Sequence, residues 1–411
     1  MNLFLVNRSA SIYEFIVLCL LVITLPLFEG PKNIAVFLLL SFFFFNSFKD
    51  QFTHYKKTVL DGLLLLIFLV ALLSSVFSPF DAKWFDLTDP LRYLLVAWVV
   101  AHLKFSKQQT IIISVLLVLS TFLGALEGYY QNITGTNYYF KLYSVGHTNH
   151  SFIYLAIVTL TVFTALVLSV LKRSLYLSLP LLSIFTFFVY LLYTGGSRAS
   201  AVAFFISLFS LTLVFFVFLS RRRKIVLFFL SMLPIFFLVA FSQAPENMSR
   251  IIKNPSAVNA ISSKRIELAN TALVAFKERP LLGVGIGNFR KIDKDIVKKW
   301  SGKKEIKLSD YYFSSHAHSV YFTTLAEKGI IGLIVLLALF LYWAYWLYRY
   351  FPKKMDIKDP VEFMLWASAF SATLVIMISG LANTSFHHEN ALLVLILFSL
   401  MLGSSSLGKK E

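Results

Sequence analysis

Five short polar stretches interrupt an apolar chain and hold most of its groups capable of chemistry. Thr194-Gly195-Gly196-Ser197-Arg198-Ala199-Ser200 reads as a tight turn between two apolar runs. The glycines let the chain reverse and Ser197 can cap the next helix, which sets Arg198 among first-turn N–H groups that favour anions. A guanidinium beside such amides suits a phosphate; an Arg snorkelling to lipid headgroups is the other reading. A second stretch runs from Ser262-Ser263-Lys264-Arg265 to Pro280-Leu281-Leu282-Gly283-Val284-Gly285-Ile286-Gly287-Asn288-Phe289. Its glycines follow a helix rather than a strand, which rules out a dinucleotide fingerprint and leaves a tight re-entry of the loop towards the membrane. Arg265 is either an anion ligand or an exposed helix charge.

The third stretch is Ser315-His316-Ala317-His318-Ser319-Val320-Tyr321-Phe322, followed by Glu327-Lys328-Gly329-Ile330-Ile331-Gly332. The His-x-His pair has no third Cys, Asp or Glu at a metal-ligand spacing, so no metal site is expected. A neutral His at a helix start beside the membrane can act as a general base near pH 7. Glu327 is a base, an orienter, or a carboxylate paired with Lys328. The remaining stretches, Gly146-His147-Thr148-Asn149-His150 and Asn383-Thr384-Ser385-Phe386-His387-His388-Glu389-Asn390, offer hydrogen bonds suited to sugar hydroxyls or to plain solvation. Arg92 is a further anion contact.

Membrane helices must position these groups. Of 411 residues, 58% are hydrophobic, 17% aromatic and only 14% charged, against about 45–50% apolar and about 25% charged in soluble domains. A water-soluble enzyme and a disordered chain are both excluded. Apolar runs predict an all-α polytopic bundle of twelve spans, near 11–28, 34–48, 58–78, 90–105, 109–128, 151–171, 175–194, 199–220, 225–243, 330–348, 361–381 and 390–406. The organisation expected is helices 1–9 over 1–243, a large outer loop over 244–317 with an amphipathic helix, and helices 10–12 over 318–411. No cleavage site follows the first run, so it reads as a retained helix. Cys19 is the single cysteine, which excludes an intramolecular disulfide.

The net charge of +17 separates by side. Eighteen Lys and Arg fall in the termini and alternate loops, and four in the short loops opposite. The positive-inside rule therefore puts both termini in the cytoplasm. The loop 244–317 carries 14 Lys/Arg against 7 Asp/Glu and lies outside, since long loops cross largely regardless of charge. Within it, Ser262 to Glu278 predicts a helix with Ile266, Ala269, Leu273 and Phe276 on its apolar stripe, ended by Pro280 and suited to the bilayer surface. His54 and His102 fall at the cytoplasmic side; His147, His150, His316, His318, His387 and His388 all fall at outer loops or outer helix ends. One outward-facing polar site accounts for that bias.

In order, these stretches resemble the O-antigen ligase family, within the superfamily that also holds O-antigen polymerases. The resemblance rests on Ser197-Arg198 in the outer turn between the seventh and eighth spans, on Arg265 with Pro280 to Phe289, and on His318 to Gly332 with its Glu-x-Gly-Ile-x-Gly segment. Two positions depart from the family pattern: Ser319 stands where Asn is usual after the His, and Ala269 where a Trp often follows the loop Arg.

The resemblance implies a donor glycan on undecaprenyl pyrophosphate and, for a ligase, an acceptor hydroxyl on the lipid A-core saccharide, at the periplasmic face of a bacterial inner membrane. Partners would be those two lipids and the bilayer, with no nucleotide, nucleic acid or cofactor. His318 would be the base, with His316 as its competitor for that role. Arg198 and Arg265 would hold the pyrophosphate, and Arg92, His147, Asn149, His316, Tyr321, Glu327 and His387 would contact substrate. A pyrophosphate leaves already acidic and chiefly needs positive charge, which two Arg supply without a metal. Rival readings are an O-antigen polymerase, for which two sizeable outer loops are expected, and a transporter, for which ionisable residues should line the bundle; only a few, such as Glu14, Asp61 and Glu127, fall within spans, most near one end.

Overall fold

The computed structural model describes residues 8–52, 58–81, 84–195, 197–218, 232, 255–302, 307–352 and 360–404. All of the expected ninth span, 225–243, except residue 232, and the first part of the outer loop lie outside them. The other eleven spans are helices: α1 (Ile12–Leu27), α2 (Glu29–Lys49), α3 (Val59–Val76), α4 (Thr88–His102), α5 (Lys107–Ile133), α6 (Thr148–Leu171), α7 (Leu175–Thr194), α8 (Arg198–Phe218), then, after the loop helices α9 (Pro255–Glu278) and α10 (Lys294–Ser301), α11 (Val320–Arg349), α12 (Val361–Ser379) and α13 (His388–Ser404). Eight of these are long and apolar enough to cross a membrane, and α1 and α13 are shorter apolar helices. The protein is a multi-pass all-α bundle. Its only strands among the described residues are the two-residue β1 (Arg8–Ser9) and β2 (Leu103–Lys104), paired in parallel.

Helix α6 is buried on nearly every face, with α7, α8 and α12 packed around it, and α13 fills the space between α4 and α12. Because neighbours surround these two helices, they are apolar all round rather than on one stripe. Helices α1, α3 and α5 begin on reciprocal capping boxes, Ser11 with Glu14, Thr58 with Asp61 and Ser106 with Gln109. Two of the three carboxylates singled out above, Glu14 and Asp61, are therefore helix caps, and Glu14 is also paired with Arg8. The third, Glu127, accepts from Gln131 at 2.6 Å, one turn away.

Two expectations need correcting. The tenth span begins at Val320, ten residues before the predicted start, because α11 is two helices joined at Gly329 (φ 64°, ψ −164°). A Cβ at Gly329 would stand 2.3 Å from the Leu281 carbonyl oxygen, so the break is where the loop 280–289 crosses the helix. The loop helix also buries a different face from the predicted stripe. Ile266 and Leu273 are exposed, whereas Leu268, Ala272 and Ala275 pack with Val284, Phe289, Val297, Ala317 and Ala326 in a small core separate from the main one. Small side chains let α9 approach α11 closely, so bulk along the helix is a poor guide to its buried side.

Candidate active site

The site forms where α8, α9, α11 and the α12–α13 turn meet. Arg198 is the first residue of α8 and is exposed; Ser197 before it is buried, its hydroxyl 2.8 Å from that of Ser200. Arg265 projects from α9, and its Nη1 donates to the carbonyl of His318 at 3.2 Å and to that of Ala382. One guanidinium thus ties the loop helix to the His318 backbone and to the turn before α13. Burial and the nearby Arg198 both act to lower the Arg265 pKa, which places the two guanidiniums within electrostatic reach of each other. Neither forms an ion pair with a carboxylate among the described residues.

His318 has a left-handed backbone (φ 48°), uncommon for a residue with a Cβ. Its N–H donates to Nδ1 of His316 at 3.2 Å, and the two rings lie edge to face at 4.2 Å. Burial, and then Arg265 and His147, hold its imidazole below the ordinary histidine range, which favours the neutral ring. His316 is pushed down to about 4 by burial, His318 and His147. Ser319, the departure from the family pattern, is the N-cap of α11: its hydroxyl accepts from the Phe322 N–H and donates to Gly380 O at 3.1 Å. The Val320 N–H also reaches Gly380 O and Asn383 O, at 2.9 and 3.0 Å. In place of an Asn side chain, these bonds fix the turn that carries His318.

Glu327 and the glycine stretch hold this arrangement. The loop N–H groups of Val284 and Gly285 donate to the carbonyls of Ala326 and Glu327, both at 2.9 Å, and Ile330 N donates to Pro280 O at 2.8 Å. The buried Glu327 carboxylate accepts from the Phe289 N–H at 3.4 Å. Gly283 (φ 67°) lies where a Cβ would be 2.4 Å from the Glu327 carbonyl carbon. The glycine stretch is a clamp on broken helix α11, and Glu327 is engaged with the clamp rather than with Lys328 alone.

The other candidates separate into two groups. His147, the N-cap of α6, accepts from the Asn149 N–H at 3.3 Å and stands 6.2 Å ring to ring from His150, which in turn is 6.2 Å from His387. The outer histidines therefore converge. Tyr321 instead spends its hydroxyl on Met377 O at 3.0 Å. Arg92 belongs to a neighbouring charge-paired cluster, 3.1 Å from Asp89 and 2.6 Å from Asn33 Oδ1. Lys32, fully buried, joins that end of the bundle through Glu29 at 2.6 Å and Glu389. Sequence reasoning missed Asp89 and Lys32: each has one partner a turn away, Arg92 and Glu29, but gains its second, His388 and Glu389, only from α13.

No curated protein matches the chain. A family model described as O-antigen ligase matches residues 182–337, a segment from within α7 to within α11 that includes Arg198, Arg265, His316, His318 and Glu327 but neither Arg92, His147 nor His387. Over residues 182–337 the chain is therefore similar to the O-antigen ligase family.

Proposed function

We propose that this membrane glycosyltransferase of the O-antigen ligase and polymerase class is an O-antigen ligase. It moves a polysaccharide from undecaprenyl pyrophosphate to a hydroxyl of the lipid A-core saccharide. The observation that carries the reading is the pairing of two guanidiniums, free of carboxylate partners among the described residues, with a neutral imidazole between α9 and α11. Arg198 and Arg265 bind the pyrophosphate. A neutral His318 takes the proton of the acceptor hydroxyl while its oxygen bonds to the anomeric carbon. The bond from that carbon to the phosphate oxygen breaks, and its electron pair leaves with undecaprenyl pyrophosphate, whose new charge the two Arg meet. A single displacement inverts the anomeric centre. The bond energy of the donor drives transfer, and the scheme draws on no metal or nucleotide.

The same reading sets the protein in the inner membrane with both termini cytoplasmic. The capping-box ends of α1, α3 and α5, beside Arg8 and Lys104, are then cytoplasmic, and the histidine cluster faces the periplasm. Glu14, Asp61 and Glu127 all have local partners, which disfavours a transport path. The lipopolysaccharide of a strain lacking the protein tests ligase against polymerase. Loss of all O-antigen with lipid-linked polymer accumulating supports the ligase. Single repeat units retained on the core indicate a polymerase, and an unchanged ladder excludes both.

A further inference from the structure

Beside the transfer site, at the outer ends of α4 and α13, three donor groups converge from distant parts of the chain. Asp89 in the first turn of α4, and His387 and His388 at the start of α13, each offer a ligand atom, all within 4.8 Å of one another. The His387 and His388 rings are 3.6 Å apart and perpendicular. His388 adopts a left-handed backbone (φ 45°). Consecutive side chains in an extended segment point opposite ways, so this turn brings both rings to one carboxylate. Such backbone strain in a residue with a Cβ concentrates at functional positions.

The carboxylate is already shared out in the way a ligand requires. Its Oδ1 faces Arg92 Nη2 at 3.1 Å, while Oδ2 faces His388 Nδ1 at 3.0 Å. Arg92 is itself held by Asn33 at 2.6 Å. Outer partners of this kind orient ligating carboxylates.

We propose that Asp89, His387 and His388 form a binding site for a divalent first-row transition ion of the Zn2+ type. Two imidazole nitrogens with one carboxylate oxygen suit Zn2+, Co2+ or Ni2+ better than Mg2+ or Ca2+. Bonds of about 2.0–2.2 Å bring such donors closer together than they stand in the empty arrangement, a change within reach of side-chain rotation. Three protein ligands leave one position open for water or a further group. On binding, the ion takes the place of the hydrogen between His388 Nδ1 and Asp89 Oδ2, and the neutral ring carries its one proton on Nε2 instead. This departs from the sequence expectation of no metal site, which rested on spacing along the chain; the packing of α4 on α13 supplies the third ligand.

Cobalt(II) titration of the purified full chain in detergent, carrying no polyhistidine tag and stripped with chelator, tests the site. Saturable uptake of one ion per chain with visible d–d absorption is expected. Asp89→Asn and His388→Gln each weaken it by more than about tenfold, while His316→Gln leaves it unchanged. Elution volume and melting temperature of the metal-free variants report that they remain folded. Absence of saturable uptake by the folded wild-type chain overturns the proposal. So does uptake that survives in both folded variants or is lost with His316→Gln. The readout needs no lipid-linked substrate, so its outcome is separate from that of the transfer reading.

Discussion

Two polar clusters lie at the same end of the bundle, and each uses a left-handed histidine just before or at a helix start, His318 at α11 and His388 at α13. Their charge balance differs. Around His318 stand Arg198 and Arg265 with no carboxylate partner among the described residues. Around His388, Asp89 is paired with Arg92, and nearby Lys32 with Glu29 and Glu389. The balanced cluster pairs its cations with the protein's own carboxylates, which holds α2, α4 and α13 together and leaves it suited to a cation rather than an anion. An unbalanced one suits a mobile anion, which is why the proposed mechanism sets the pyrophosphate on the His318 side.

The largest effect that can break this comparison is loss of the base. His318→Ala should lower kcat by about 10²- to 10⁴-fold, the range of general-base catalysis, measured as transfer from purified lipid-linked donor. Removing one guanidinium should cost about 10²- to 10³-fold in kcat, as for a single anion-stabilising donor; Arg198→Ala reads this more cleanly than Arg265→Ala, since Arg265 also tethers α9 to Ala382. Gly329→Ala tests the clamp rather than the chemistry. Its backbone (φ 64°, ψ −164°) lies in a region essentially confined to glycine and costs an alanine about 1–3 kcal/mol, and contact with Leu281 O adds to it, so a lower melting temperature is expected. On the balanced side, Asp89→Asn weakens the hold on Arg92 and should cost about 1 kcal/mol, again read from melting.

The smallest effect is a shift in pH dependence. His318 must be neutral to accept a proton, and burial and Arg265 hold its pKa below the ordinary value of 6.5. Activity limited by this group is complete above that lowered pKa and falls as pH drops through it. The acid limb of kcat/KM should therefore lie below pH 6.5 in the wild-type chain. Arg265→Gln removes a charge that opposes protonation, so its residual activity should show an acid limb moved to higher pH. An unmoved limb would separate Arg265 from His318.

Most spans were legible in the sequence because charges and turn residues sit at their edges: Lys172-Arg173 ends α6, and Gly195 closes α7 before Arg198 opens α8. The start of α11 was not, since Gly329 reads as a helix start along the chain and becomes a break inside one only when the loop crosses it at Leu281. The buried face of α9 was hidden for a related reason: Ala272 and Ala275 carry little apolar bulk, yet they permit the close approach to Ala326. Arg198, Arg265 and His318 were legible as candidates from residue type and order. Their convergence rests on contacts between distant segments, such as Arg265 with Ala382, which no local spacing encodes. Tyr321 illustrates the converse, a polar side chain in a promising stretch that bonds to the Met377 carbonyl.

The assignment of the base is the point on which the account most depends, since His316 and His318 lie ring to ring. The direct measurement is the release of undecaprenyl pyrophosphate from purified donor in the presence of lipid A-core acceptor, compared between His318→Ala and His316→Ala. The account predicts a fall of at least about 100-fold for the first and less than about tenfold for the second. Equal rates in wild type and His318→Ala, or a larger loss in His316→Ala, would contradict it.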